Sequence, residues 1–543
     1  MEKLKWLFFL LLFLSCKNKT TVDLIVHNAK VYTVDSLFTI TEAVAVKDGR
    51  ITATGASKDI LEEYISDRIV DAKHQAVYPG FIDGHAHFYG YALSLQEVDL
   101  VGTKSWNECI ERIKTFVANN NIPAGKWVIG NGWDQNDWEI KSFPDKSLLD
   151  KNFPDNAVLL SRIDGHAAIA NQRALDKVSV KAGEVITGGV FETKDKKLTG
   201  ILIDNAISKV SSVAPLPDEA TLENVFLNAQ NNCFAAGLTG ITDCGLTKQQ
   251  VDQLDRLQKA GKLKMKLTVL LSDAKENYEH YLKAGIYKTD RMHIAGFKLY
   301  ADGALGSRGA CLLKPYNDKP GWNGFLLDSI SHYARVLQKI IQSPFQACTH
   351  AIGDSGNRMI LDQYATVLKG NNDRRWRIEH AQVVDTSDLH FFKRYNIIPS
   401  VQPTHATSDM YWAEDRLGKE RITTAYAYKD LLQQNGWTIL GTDFPVEDIS
   451  PFKTFYAAVI RKDASGYPAT GFEISNALTR EETLRGMTIW AAKGSFEEKE
   501  KGSIEKGKQA DFIITDTDIM HCGPVDILKT KVVATYINGE KVY

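Results

Sequence analysis

The sequence has almost no excess of charge of either sign: 65 Lys and Arg stand against 67 Asp and Glu, a formal net charge of −2. No basic stripe is present that would neutralise a phosphate backbone, so nucleic acid is not an expected partner. No Cys-x-x-Cys pair occurs, and the six cysteines after Cys16 (109, 233, 244, 311, 348 and 522) form no dense framework. They read as small buried hydrophobes, with any disulfide pairing left open. Internal repeats and low-complexity tracts are also missing. The apolar run at 6–14 is too short to cross a bilayer as a helix. What is present is a chain of 543 residues, 44% hydrophobic and 24% charged, which excludes disorder and suffices for a barrel core plus an extra lobe.

Lys3 and Lys5 precede that apolar run, which ends at Ser15-Cys16. Positive residues, a short apolar stretch and a small residue before a cut site describe a secretory signal over 1–15. A cysteine directly after it resembles the lipobox of bacterial lipoproteins, which implies that Cys16 becomes a lipidated N-terminus followed by a short tether, 16–21. The chain is then expected to be exported and held to a membrane only through that lipid anchor, facing the periplasm or exterior. A plain signal peptide and a retained anchor are the alternatives.

Residues 23–34 and 43–54 alternate apolar and polar positions, as do 502–515 and 532–542, where Asn538-Gly539 marks a hairpin turn. The two ends, 22–75 and 500–543, are expected to share a small β-sandwich, with a catalytic domain at 76–499 inserted between them. Within that domain short β-rich segments alternate with helical patterns, and eight strand candidates follow: 77–83, 238–243, 266–271, 294–300, 345–349, 376–379, 397–401 and 438–442. Eight such units predict an α/β fold, a (β/α)8 TIM-like barrel. The long gap after the first strand, about 100–230, reads as an inserted lobe covering the active site.

Barrel enzymes carry their chemistry at the C-terminal ends of the strands. There the first candidate runs into His85-Ala-His87, whose imidazoles, two apart in extended chain, share one face and can reach one metal. Alone, the pair is a weak signal and reads rather as two satisfied surface histidines. The fourth candidate closes on Lys298, the fifth on His350, the sixth on His380 and the eighth on Asp443. A Lys that ends a strand ordinarily snorkels to solvent, and a lone strand-end His is ordinarily a satisfied core residue. Five strand ends behaving this way together are hard to explain as packing, and they predict a metal site.

The motifs Gly80-Phe-Ile-Asp-Gly-His-Ala-His, Phe297-Lys-Leu-Tyr-Ala-Asp-Gly, His350-Ala-Ile-Gly-Asp, Arg377-Ile-Glu-His-Ala-Gln and Gly441-Thr-Asp-Phe-Pro-Val occur in that order. In them the chain resembles the amidohydrolase superfamily, and within it the subfamily that includes N-substituted formamide deformylase. The resemblance implies that His85 and His87 bind a first metal, that His350 and His380 bind a second, and that Lys298 bridges them as a carbamate. It implies that Asp443 is both ligand and proton carrier. Imidazole and carboxylate suit zinc, so two zinc ions are the expected cofactors. Water on such an ion has a pKa of roughly 7, which would supply hydroxide to attack an amide, formamide or cyclic amide at its C–N bond while Asp443 moves the proton. An unmodified Lys298 beside a single metal held by His85, His87 and Asp443 is the alternative.

The substrate is expected to be a small molecule. Arg162 and His166 are candidates to bind its carbonyl or carboxylate, Trp133 to line an apolar pocket and His405 to reach the mouth; a structural role stands beside each. Asp302-Gly-Ala-Leu-Gly-Ser-Arg308 lacks the Lys-Ser/Thr ending of a phosphate loop. Two rival readings are the same fold acting on another bond (ester, lactone or deamination) and a non-catalytic metal-binding lipoprotein. Lys298 argues against deamination, since mononuclear deaminases of the superfamily lack a bridging lysine. A homo-oligomer is left open.

Overall fold

A parallel eight-stranded sheet organises the computed structural model, which describes residues 19–543. Its strands are β1 (Phe81–Ala86), β2 (Leu238–Leu246), β3 (Lys266–Ser272), β4 (Met292–Tyr300), β5 (Gln346–Ala351), β6 (Arg377–His380), β7 (Ile398–Val401) and β8 (Ile439–Leu440). Each pairs with the next in sequence, as consecutive βα units do, and the parallel register sets Lys298 opposite Cys348 and His350 opposite Glu379. This is the barrel that the eight strand candidates predict. Helices between the strands start on side-chain caps: Thr247 and Gln250 form a capping box before Lys248–Lys259, and Asp218 accepts from Thr221 N before Glu219–Ala235.

The barrel closes where β1 meets the chain leaving β8. Asp83 accepts from the Thr442 backbone N–H and hydroxyl, and Asp443 N donates to His85 O at 2.8 Å. The approach requires Gly84, because a Cβ there would lie 2.1 Å from Ile439 Cγ2 and 2.8 Å from Leu440 O. Gly84→Ala is therefore expected to destabilise the protein by about 1–3 kcal/mol, the usual cost of an overpacked core. Urea unfolding measures it, and an unchanged midpoint would show that the seam yields freely.

The strand candidate at 77–83 is two strands. Ala76–Pro79 pairs with Phe512–Thr515 and Lys30–Tyr32 outside the barrel, and β1 begins only at Phe81. The break falls at Gly80, where a Cβ would sit 2.2 Å from Thr239 Oγ1. Both segments are buried throughout, so hydrophobic periodicity alone does not reveal the division.

Ala76–Pro79 lies in a six-stranded sheet built from both ends of the chain; a four-stranded sheet around Leu24–His27 faces it. Val26, Val31, Val46, Phe512, Ile514 and Tyr536 fill the space between them. Asn538 and Gly539 form the two-residue loop that the sequence predicts, closing the pairing of Ile537 with Glu540. Thr20–Thr21, at the end of the expected tether, pairs in parallel with Tyr64–Ile65. The expected signal peptide (1–15) and Cys16 lie outside the described residues.

After β1 the chain builds a lobe on a seven-stranded sheet from Val98–Asp99 to Lys197–Asp204, with its own apolar core. Helix Glu219–Ala235, which the expected insertion of about 100–230 takes in part, packs instead on helix Phe88–Ser94 and β2 and so belongs to the barrel wall. Among the described residues no helix is long and apolar enough to cross a membrane.

Candidate metal centre

At the C-terminal mouth of the barrel, His85, His87 and Asp443 converge. Asp443 Oδ1 lies 3.1 Å from His87 Nε2 and 3.4 Å from His85 Nε2. Lys298, 1% exposed, brings Nζ to 3.0 Å from His85 Nε2 and to 4.8 Å from the centroid of the Tyr300 ring. The His380 ring stands 4.7 Å from that of His85 and 4.6 Å from that of His350, centroid to centroid. Six side chains from five strand ends thus meet in one place, as the parallel register requires.

A second layer aims them. Three of the four imidazoles can use Nδ1–H as donor: His85 to Glu379 Oε2 at 2.5 Å, His87 to Cys244 O at 3.0 Å and His380 to Gln402 Oε1 at 2.8 Å. This selects the tautomer with a lone pair on Nε2, the arrangement that outer partners of metal-bound histidines impose. Burial, reinforced by neighbouring imidazoles, holds His350 and His380 well below the usual histidine range, so both are neutral near pH 7. His380 and Asp443 are held at φ +74° and +65°. Non-glycine residues in such conformations cost about 1–3 kcal/mol each and persist where the surroundings over-determine them. Here the bonds from His380 to Gln402 and from Asp443 N to His85 O do so.

Glu379 is the residue in this layer with the most at stake. It is fully buried, with Arg377 Nε 3.0 Å from Oε1 and His85 on Oε2. Burial alone would raise its carboxyl, but the Arg377 guanidinium and His85 bring it down to about 2. Glu379→Gln is expected to weaken metal binding by roughly 10- to 100-fold, the usual worth of an outer partner. Titration of the apoprotein with zinc and a competing chelator measures this, and an unchanged affinity would remove Glu379 from the metal's support.

The donors suit a divalent ion. One ligand atom from each of His85, His87 and Asp443 lies within 4.8 Å of the others, and the same holds for His380, His405 and Asp443. Asp443 Oδ1 and His405 Nε2 are buried and lack hydrogen-bond partners, as atoms reserved for a ligand would. His405 joins this second group because the chain after β7 turns directly into helix Pro403–Asp409, which carries its ring to 3.6 Å from Asp443 Oδ2. His350 Nε2 lies 3.5 Å from Gly303 O, and its ring remains against that of His380.

Above the donors opens a cavity of about 760 Å³ lined by His350, His380, His405 and Asp443 together with lobe residues. His166 belongs to it: Nδ1–H donates to Asp204 at 2.6 Å and the ring stands 4.9 Å from that of His350. Arg162 also lines it, but its guanidinium is consumed by Asp134, Asp164 at 2.6 Å and Gln135 at 2.9 Å, which leaves little for a substrate carboxylate. Trp133 is not on the wall. It lies fully buried in the lobe core with Nε1–H on Leu160 O, because the strand turns Gly132 to the cavity and Trp133 away. Sequence reasoning missed the roles of Glu379, Asp83 and Gln402; the first two lie within the motifs on strands β6 and β1, and Gln402 directly follows β7, a weak cue in each case.

A model of the amidohydrolase family matches residues 68–543. The chain is 31% identical to protein LONG AFTER FAR-RED 3 of Arabidopsis thaliana, covering 96% of this chain and 91% of that one. It is 27% identical to N-substituted formamide deformylase of Arthrobacter pascens, covering 95% and 97%. Among solved structures, an uncharacterized metal-dependent hydrolase from Pyrococcus horikoshii superposes with a TM-score of 0.75 at 28% identity, over 92% of this chain and 99% of that one.

Proposed function

This chain belongs to the amidohydrolase family of metal-dependent hydrolases, and from that premise we propose that it cleaves the C–N bond of an amide, formamide or cyclic amide. The observation that carries the reading is the convergence of His85 Nε2, His87 Nε2 and an unpartnered Asp443 Oδ1 at the floor of a cavity wide enough for a small molecule. The likeness to a protein named for acting on N-substituted formamides supports the choice of bond.

Divalent ions at such donors, zinc being the expected one, lower the pKa of coordinated water to about 7 and polarise a carbonyl. The chain supplies the rest. His85, His87, His350, His380 and His405 offer ring-nitrogen donors. Asp443, shared by both donor groups and with Oδ1 unpartnered, can accept a proton. It returns that proton to the leaving nitrogen, acting first as base and then as acid. His166, whose pKa Asp204 raises against the effect of burial, offers Nε2–H to a carbonyl oxygen in its protonated form. Lys298 forms no ion pair with a carboxylate among the described residues, and a bare ammonium has no lone pair to offer a metal. Addition of its neutral amine to CO2 forms an N–C bond and releases one proton, leaving a carbamate with two oxygens for metal.

The test is a panel of N-formyl amines, N-acyl amines, dipeptides, cyclic amides, esters and lactones, assayed with zinc-loaded protein. Amine release from at least one amide class is expected; turnover of esters or lactones alone would overturn the C–N reading. We also propose export and tethering through Cys16. Cys16→Ala should release the protein from membranes or block its processing, and unchanged attachment with no N-terminal lipid by mass spectrometry would reject the anchor.

A further inference from the structure

The glycine-rich stretch after β4, which lacks the ending of a phosphate loop, receives a carboxylate from the lobe instead. Asp204 closes the lobe strand Lys197–Asp204, and its side chain is 1% exposed. Its Oδ1 accepts from His166 Nδ1–H at 2.6 Å, while its Oδ2 has no hydrogen-bond partner among the described residues. Gly303 and Gly309 make the room for it. A Cβ at Gly309 would lie 2.5 Å from Oδ2 and one at Gly303 2.7 Å from Oδ1, so a side chain at either position would push the carboxylate out.

Both sides of this contact are fixed. Asp302 accepts from Cys311 N at 2.7 Å, Gly353 N at 2.8 Å and Ile352 N at 3.0 Å, which ties the glycine stretch to the loop after β5. Gly303 O lies 3.5 Å from His350 Nε2. On the lobe side Asp204 N donates to His166 O at 3.0 Å, and Asn205 Nδ2 reaches across to Leu327 O at 3.1 Å. Asp204 is held at φ +48°, a conformation that a non-glycine residue keeps where its surroundings over-determine it. The His166 ring stands against that of His350 and lines the cavity, with no protein partner on Nε2 among the described residues. A carboxylate buried for packing alone would have both oxygens satisfied. Here one oxygen is spent on a cavity-lining ring, and the other sits in a socket made by the lack of two side chains.

We propose that Asp204 is a positioning residue: seated between Gly303 and Gly309, it fixes the lobe on the loop after β4 and holds the His166 ring beside the metal donors with Nε2 left for the substrate. The carbonyl contact of His166 rests on the C–N reading above; the seating of Asp204 does not.

The first test needs no substrate. In zinc-loaded protein labelled with 15N-histidine, the Nδ1–H of His166 should give a proton resonance far downfield, as a short hydrogen bond to a carboxylate does, and His166→Ala identifies it by its loss. Asp204→Asn and Gly309→Ala should each move that resonance upfield or remove it. Turnover of an N-formyl amine supplies the second test. Asp204→Asn should lower kcat/KM roughly 10- to 100-fold, the usual worth of a group that orients a functional histidine, with the loss mainly in kcat. In a His166→Ala background the same substitution should change kcat/KM by about twofold or less, because residues that act through one another are not additive. Gly309→Ala changes no charge, should repeat the Asp204→Asn result, and stands in for it where the asparagine variant does not fold. A resonance that moves as expected, without hydrolysis of any amide, would uphold the positioning while removing the C–N reading. Absence of the downfield resonance, a resonance unmoved by both substitutions, or losses that add in the double variant would overturn it.

Discussion

Asp443→Asn is expected to lower kcat by roughly 10²- to 10⁴-fold, the usual worth of general acid–base catalysis. The amide keeps the shape of the side chain and one oxygen for the site but cannot take up the proton that hydrolysis must move. The backbone should tolerate the change, since asparagine is among the residues that accept a left-handed conformation such as the +65° found here. Because Asp443 is shared by both donor groups, metal content has to be measured beside the rate. Loss of activity at full occupancy assigns the proton transfer to this carboxylate. Full activity in the asparagine variant would remove it from the chemistry.

Lys298→Ala is expected to abolish most activity and to lower bound metal from two ions toward one. The motivation is a fully enclosed amine that touches the Nε2 of His85, a nitrogen in the first donor group, with the His350 and His380 rings close by. An ammonium has three donors and no acceptor, so it cannot be a ligand and would repel a cation beside it. As a carbamate the same side chain carries a negative charge and two acceptors. Short carboxylates should partly restore activity in the alanine variant by filling the vacated space, a rescue that a merely structural lysine would not show. An alanine variant that still binds two ions and turns over normally would end the bridging role.

The barrel was legible because its strands are short, apolar and separated by helical patterns, and because β2 to β8 each run between recognisable turns. The centre was legible for a related reason. In a parallel barrel every strand ends at the same face, so polar residues that terminate apolar strands must meet; Lys298, His350, His380 and Asp443 could be grouped without knowing any distance. What lies one step outward was not legible. Glu379 looks like any strand-end acid until its two oxygens are found on Arg377 and His85. Trp133 and Gly132 are neighbours in sequence, yet one is core and the other lines the cavity.

Sequence by itself determined the order of the βα units, the hairpin at Asn538-Gly539 and the identity of the six side chains that the strand ends deliver, since these depend on local pattern and on the rule that parallel strands share an end. Tertiary structure alone decided how those groups are used. It brought His405 onto Asp443 from 38 residues earlier in the chain, tied up Arg162 with Asp134 and Asp164, and left Asp409 and Glu447 on the cavity wall without an ion-pair partner among the described residues. Charge pairing and cavity walls arise between segments distant in sequence, and no local periodicity encodes which of two nearby carboxylates will find a partner.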